Sequence, residues 1–514
     1  MQRQIKLFAS NDIFKSSAGL LIITLLAKIL GYGEKLLLAY FFGTSFHVDV
    51  YTVVVSLVTS IFILYREAIE PGFLNVFLSI KNKGKKEEAW SLFYFVGGII
   101  LLTTGLCSLI VYAFPADVMK ILAPGFSSHE LSAGTKLLKI IFPACIFLAL
   151  STLTGITLNG EKKFVVPASG ELISKIFIII CLVALYTLYG IEAAALGVLF
   201  GAVAKVGVHL IGIINQLPRN IAAPSREHIA DMWHLTWPLL IGVVFSQVRD
   251  LSDQIFASFL NEGSIASLSY ARKISDLPII ILPYTVSVVL FPYFSQLAIE
   301  QKSNELSDLF RSTLQWVAVV FIPLSIFFFT FSTLIVQVIF QRGAFDIEAT
   351  IMTAQPLKVY SIGLPAMAIE AVVVIFYYAN ANTKIPIFLG IAYSILNVLL
   401  AFVLIRYLDY TGIAIAFVIS KYLKGITLLF LLKRIIPFNY KEALNYIIKL
   451  FLAAVCFTIT LWLMLNFLHE QVSADDLITK IFAACFILFG SSSIYIVAIR
   501  VLKINLLTKP ENMA

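Results

Sequence analysis

Charge is what this sequence has least of. Only 13% of its residues are Asp, Glu, Lys or Arg, against roughly 25% in a soluble domain, too few for a water-facing surface of ordinary composition. Cysteine and histidine are scarce too, with five and six copies in 514 residues. Cys107, Cys145, Cys181, Cys456 and Cys485 all lie inside apolar runs, where they read as small packing residues and not as disulfide partners or metal ligands. His-Glu-x-x-His is missing, as are a glycine loop followed by Lys-Ser/Thr and any Cys/His metal spacing. Those gaps argue against zinc hydrolysis and against an ATP-driven pump within this chain; no cofactor and no metal are expected. The first fifteen residues, MQRQIKLFASNDIFK, are polar and basic without a small-residue cleavage site, so the first helix is expected to insert the chain without a removable signal.

What the chain has in quantity is apolar length: 60% of it is hydrophobic. Runs of about 20 apolar residues recur from end to end, each enough as a helix to cross a hydrocarbon core about 30 Å thick. Backbone in lipid must pair internally, as helices or a closed barrel, and barrel strands alternate over only about ten residues. The expected fold class is therefore an all-α integral membrane protein. Fourteen spans are expected at 16–42, 50–78, 90–114, 134–158, 165–189, 192–216, 232–259, 265–297, 312–337, 350–379, 386–407, 411–432, 443–468 and 478–500.

The net charge of +8 is explained by where the positive residues fall, so no nucleic-acid partner is expected. With the N-terminus inside, the inner connections hold twenty Lys and Arg, among them Lys81, Lys83, Lys85, Lys86, Lys162, Lys163, Lys302 and Arg500, while the outer ones hold Lys120 and Arg342. The positive-inside rule then puts both termini in the cytoplasm.

A repeat runs through the chain. Leu138-Lys139 follows Phe126 as Leu357-Lys358 follows Phe345; Pro71-Gly72-Phe73 echoes Pro292-Tyr293-Phe294; Gly43 after Ala39-Tyr40-Phe41-Phe42 echoes Gly263 after Ala257-Ser258-Phe259-Leu260. The offsets run from 218 to 221 residues. An even number of spans per copy keeps both copies in one orientation. The reading is a parallel six-plus-six arrangement, with an N-terminal lobe over 1–218, a C-terminal lobe over 219–435, and two extra helices and a tail over 436–514. Paired lobes around a midplane site are a transporter arrangement.

Ionisable side chains at membrane depth cost about 2.5–3.5 kcal/mol each on insertion scales and mark a pathway or a pair. They concentrate on the first two spans of each copy. Lys28, Glu34 and Lys35 lie on the first, Arg66, Glu67 and Glu70 on the second, Arg249, Asp250 and Asp253 on the seventh, and Arg272, Lys273 and Asp276 on the eighth. Four-residue spacing predicts bridges Arg66–Glu70, Arg272–Asp276 and Glu171–Lys175. Lys205–His209 is a further pair of this spacing, with His209 read as a packing residue, and Lys421 and Lys424 are expected to snorkel toward the cytoplasm. Basic residues in excess within a cavity in lipid suit an anion, phosphate being the usual one.

These residues also carry a family resemblance. Ala27-Lys28-Ile29-Leu30-Gly31 through Phe42-Gly43 to Asp49, Leu122-Ala123-Pro124-Gly125-Phe126, Ala257 to Lys273 with Leu277-Pro278, and Phe340-Gln341-Arg342-Gly343-Ala344-Phe345-Asp346 with Gly363-Leu364-Pro365 resemble the MurJ (MviN) family of lipid II flippases. That family sits in the multidrug/oligosaccharidyl-lipid/polysaccharide exporter superfamily. The resemblance implies two six-helix lobes, alternating access, and an undecaprenyl-diphosphate-linked glycan as substrate alongside membrane lipids. An ion gradient or the membrane potential would supply the energy. It also implies a central cavity with essential basic residues: Lys28 and Lys273 stand where the family has arginines, and Asp49 at its aspartate. With the membrane-depth charges read above, the expected substrate-binding residues are Lys28, Glu34, Lys35, Asp49, Arg66, Arg249, Arg272 and Lys273. Where the family reads Arg-Asp after its Leu-Gly, this chain has Glu34-Lys35, the same charges in reverse order. That reversal keeps open an exopolysaccharide or O-antigen unit as substrate. A drug or ion antiporter of the same superfamily is the further alternative; it calls for an acidic or aromatic cavity.

Overall fold

The computed structural model describes residues 11–218, 224–432, 440–472 and 476–504, and among them there are helices and turns but no strands. In chain order the helices are α1 Asn11–Phe42, α2 Phe46–Asn82, α3 Lys86–Ala113, α4 Pro115–Leu122, α5 Ser128–Ile141, α6 Ala144–Gly160, α7 Val165–Tyr189, α8 Glu192–Ile213 and α9 Arg226–Ala257. They continue with α10 Ser264–Ile299, α11 Ser303–Thr330, α12 Ser332–Phe340, α13 Ile347–Ala379, α14 Lys384–Leu432, α15 Tyr440–Phe467, α16 His469–Val472 and α17 Leu477–Val501.

The membrane-protein reading holds: nine of the described helices are long and apolar enough to cross a bilayer, or up to eleven if each of two bent pairs is one span. One bent pair is α5 with α6, turning by 40° just before Ala144, at Pro143; the other lies within α9, which turns by 43° at Pro238. Proline has no N–H to give the helix ladder, so these are natural places to break. The count is lower than the fourteen expected spans partly because the 49-residue α14 is taken once although Asp409 (φ 48°, ψ −144°) breaks it. That break falls between the expected spans 386–407 and 411–432.

The chain divides into two compact units, Met1–Ala266 with Arg342–Phe345, and Ser267–Gln341 with Asp346–Ala514. The expected lobe boundaries at 218/219 and 435/436 fall at stretches outside the described residues. In the first unit an aromatic core of Phe73, Phe77, Trp90 and Phe93 joins α2 to α3. Helix α9 packs along α2, where Thr236 Oγ1 donates to the Ala68 carbonyl at 3.0 Å. Gly72 makes this approach feasible: a Cβ there would run into Thr236 Oγ1 and lie 2.9 Å from the Met232 carbonyl. Gly72→Leu is therefore expected to force α2 and α9 apart at an overpacking cost of about 1–3 kcal/mol, read as a lower unfolding temperature and as faster crosslinking loss between cysteines placed at 68 and 236. At the other end of α2, Lys81 bonds Glu161 at the end of α6, so it is an interhelical tie and not the solvated loop residue its place among the inner lysines predicts.

The second unit builds its core from Phe294, Phe310 and Phe376 with Leu364 and Leu428. The two C-terminal helices dock on α11: Tyr446 Oη donates to the Gln315 carbonyl and Tyr495 Oη to the Val319 carbonyl, each at 3.0 Å. Arg311 bonds Glu442 at the edge of that contact. Phe451, Phe467, Phe482, Phe486 and Phe489 stay exposed on the same helices, as lipid-facing positions do. Just outside α17, Asp476 caps it by accepting from the Thr479 hydroxyl and amide, and these bonds hold its carboxyl below the usual range.

The repeat is visible in the backbone. Lys162 (φ 61°) and Ala381 (φ 54°) lie 219 residues apart, each in the turn that follows a helix. Gly190 (φ 55°, ψ −132°) and Asp409 (φ 48°, ψ −144°) are separated by the same 219. Positive φ is rare outside glycine, so two shared positions at one offset fix the register between α6–α8 and α13–α14.

Candidate functional site

Asp49, in the first turn of α2, is 3% exposed, and both its oxygens are engaged. It accepts from the backbone N–H groups of Gly263 and Ala266, each at 2.7 Å. It therefore serves the start of α10 as a capping carboxylate supplied from another helix, a positioning role. Gly263 (φ +85°) makes the turn before α10, and a Cβ on it would press on the Thr44 carbonyl. Beside it the Phe46 amide donates to Glu262 at 2.7 Å, and the Ala344 amide donates to the Tyr40 carbonyl at 2.8 Å. Segments that share the family motifs, around 43, 263 and 344, thus come together within one unit. Asp49→Ala leaves two buried amides unsatisfied, at about 1–3 kcal/mol; the expected result is reduced yield of folded protein, checked by fluorescence-detected size exclusion.

Glu34 is 6% exposed and accepts from Lys175 Nζ on α7 at 2.8 Å. The expected Glu171–Lys175 bridge is replaced: Glu171 accepts from Lys205 on α8 at 2.5 Å. Two interhelical bridges therefore tie α1 to α7 and α7 to α8. His209, one turn beyond Lys205, is buried with Nδ1 2.9 Å from Thr154 Oγ1 and 3.1 Å from the Ser151 carbonyl. Gly155 and Gly170 leave room for its ring, in keeping with the packing reading. Lys28 is exposed and Lys35 half-buried on α1.

Arg66 and Arg249, both in the first unit, share one geometry. Arg66 donates through Nε and Nη2 to Glu67, at 3.2 and 2.7 Å, so the predicted partner Glu70 gives way to the adjacent residue. Arg249 does the same to Asp250, at 3.2 and 2.6 Å. Both pairs are well exposed on at least one side, where an ion pair is worth roughly 0–1 kcal/mol and is readily exchanged for another anion. In the second unit Arg272 makes the predicted bridge to Asp276 at 3.3 Å, and its guanidinium lies 3.7 Å from the Phe417 ring centre. Lys273 is half-buried beside it.

Lys421 and Lys424 do not snorkel. Both reach Glu370 on α13, each at 2.8 Å. Glu370 had no place among the expected site residues, although it is the lone acid in the apolar stretch 349–379, which is the signal that points to it.

Comparison with known proteins decides the family. The family model "Lipid II flippase MurJ" matches residues 38–483. The chain belongs to the MurJ lipid II flippase family. A protein described as "Probable lipid II flippase MurJ" from Buchnera aphidicola subsp. Baizongia pistaciae is 29% identical over 510 residues, covering 94% of this chain and 96% of that one. The "Lipid II flippase MurJ" of Burkholderia cenocepacia is 23% identical over 494 residues, with 93% and 96% covered. A solved MurJ structure described as inward closed matches with a TM-score of 0.75 at 25% identity, over 94% of this chain and 99% of that one. An inward-facing multidrug transporter of the MATE family matches in fold, with a TM-score of 0.70 at 13% identity over 81% and 97%. MurJ membership and the MOP-type fold agree with the resemblance carried by the motifs.

Proposed function

We propose that this protein is a flippase that moves lipid II, the undecaprenyl-diphosphate-linked precursor of peptidoglycan, from the cytoplasmic to the periplasmic leaflet by alternating access. It would work as a transporter and not an enzyme, in a bacterial inner membrane with both termini cytoplasmic and two six-helix lobes preceding the two last helices. The observation that carries the reading is the distribution of charge. Lys28, Lys35, Arg66, Arg249, Arg272 and Lys273 lie on the first two helices of each repeat, while the neighbouring carboxylates Glu34 and Asp49 are committed to Lys175 and to backbone amides. Arg66 and Arg249, whose partners are adjacent, exposed carboxylates, can transfer to a diphosphate as it enters, gaining charge-assisted bonds to its oxygens.

Charge-removing changes at Arg66, Arg249 or Lys273 are expected to lower lipid II flipping at least about tenfold, since a hydrogen bond to a charged group is worth about 1.5–3 kcal/mol. The matching changes at the exposed Lys83 and Lys302 should leave flipping within about twofold, as surface substitutions usually do. Fluorescent lipid II in proteoliposomes, with a membrane-impermeant quencher, reads both. Loss of flipping at Lys83 and Lys302 with full activity at the other three would overturn the assignment. For orientation, reporter fusions after Gly84 and Asn304 should report cytoplasm and one at Ser127 periplasm.

A further inference from the structure

Helices α2 and α9 run antiparallel and touch where Thr236 meets Ala68 and Met232 meets Gly72. Beyond that contact, toward the lysine-rich loop that follows α2, a cavity of about 400 Å³ opens between them, within the range of about 300–1,000 Å³ usual for small-molecule sites. Lys83 and Glu227 stand at its loop end, and Val76 and Leu235 at its inner end. From Asn75 to Lys83 it follows α2 for about 12 Å at 1.5 Å per residue. A headgroup layer is roughly 5–8 Å deep on each side of a bilayer, so a cavity of this length takes in the headgroups and the start of the hydrocarbon. Trp233 and Trp237 are exposed on α9 at the same level, as tryptophans at a membrane–water border are.

The lining has both signs of charge over an apolar wall. A simple anion would meet the carboxylates of Glu227 and Asp231, and a bare acyl chain would strip water from the charges at the mouth without replacing it. A zwitterionic amphiphile satisfies every part. Glu227 and Asp231 are four residues apart on one face of α9, where like charges repel. An ammonium lodged between them offsets that repulsion and gains charge-assisted hydrogen bonds. On the other side of the charge balance stand Lys83 and His228. The His228 Nδ1 atom is buried without a hydrogen-bond partner among the described residues.

We propose that this cavity holds the headgroup of an aminophospholipid, with its primary ammonium between Glu227 and Asp231, its phosphate toward Lys83 and His228, and its acyl chains leaving past Val76 and Leu235. Along α2 the contacts at Ala68 and Gly72 stand between the cavity and Arg66. The lipid held here therefore fills the seam between α2 and α9 and is not the transported substrate. The site stands whichever lipid-linked glycan the protein moves.

The test is native mass spectrometry of the full chain with phosphatidylethanolamine, phosphatidylcholine and phosphatidylglycerol of identical acyl chains. One phosphatidylethanolamine should be retained with an apparent Kd at least about tenfold below that of phosphatidylcholine, because methylation keeps the positive charge but removes the N–H donors that the carboxylates accept. Glu227→Gln with Asp231→Asn should abolish that preference, while Glu305→Gln with Asp308→Asn, an acidic pair on α11, should keep it. Equal retention of the first two lipids, tighter retention of phosphatidylglycerol, or an undiminished preference in the folded 227/231 variant would overturn the proposal. A second measurement needs no variant: a photoactivatable phosphatidylethanolamine in membranes carrying the wild type should label peptides from 75–83 or 227–235. Labelling confined to other helices would equally overturn it.

Discussion

Exchanging Glu34 and Lys35 is expected to deplete the folded protein and not merely to alter its substrate. Glu34 is buried and accepts from Lys175 at 2.8 Å. The double change Glu34→Lys with Lys35→Glu keeps the net charge of α1, but it sets one ammonium against another in that buried place and turns the new carboxylate about 100° away. Breaking a buried pair by losing one partner costs about 3–5 kcal/mol, a large part of the stability of an ordinary domain, before any repulsion is added. Adding Lys175→Glu inverts the bridge and should recover much of the yield. The measurement is the amount of monodisperse protein extracted from membranes. Normal yield from the double change would show that Glu34 and Lys175 are not coupled. The reversed order of this pair relative to the family thus has a structural cause here: the acid is the residue that faces α7.

Glu370→Gln is the second large effect expected. Its carboxylate holds Lys421 and Lys424 together, and a neutral amide takes away the buried anion that both lysines share. About 3–5 kcal/mol is again the appropriate scale, seen as a fall in unfolding temperature and in yield. Adding Lys421→Met removes one of the two cations that shared the carboxylate, and should return part of the loss. If Glu370→Gln unfolds at the wild-type temperature, the triad contributes nothing to the fold and its geometry means little.

Much of this was legible in the sequence because bilayers impose coarse rules. A run of twenty apolar residues has few structural options, so the helices at 165–189 and 192–216 coincide with α7 and α8 almost residue for residue. The break at Asp409 was legible as the gap between two spans. The repeat was legible because Phe126 and Phe345, or Lys139 and Lys358, kept both identity and offset. Pairing was far less legible. Spacing along one helix suggested Glu171–Lys175, Arg66–Glu70 and snorkelling for Lys421 and Lys424, yet partners came from neighbouring helices or the adjacent residue: Glu34 for Lys175, Lys205 for Glu171, Glu370 for both lysines. A helix in lipid buries its charges against other helices, since no water competes for them, and a one-dimensional rule cannot name the helix opposite. Asp49 shows the same limit. Its motif marked it as important, but only the fold shows that it spends both oxygens on the amides of Gly263 and Ala266.

The most direct test of the central claim is complementation of a bacterial strain depleted of its own lipid II flippase by this chain, with labelled lipid II followed across the inner membrane. The account predicts growth and arrival of lipid II in the periplasmic leaflet with the wild type, and neither with Lys273→Gln at equal membrane abundance. Lysis of cells that carry abundant, folded wild-type protein, while the same protein moves a different polyprenyl-diphosphate glycan, would contradict it.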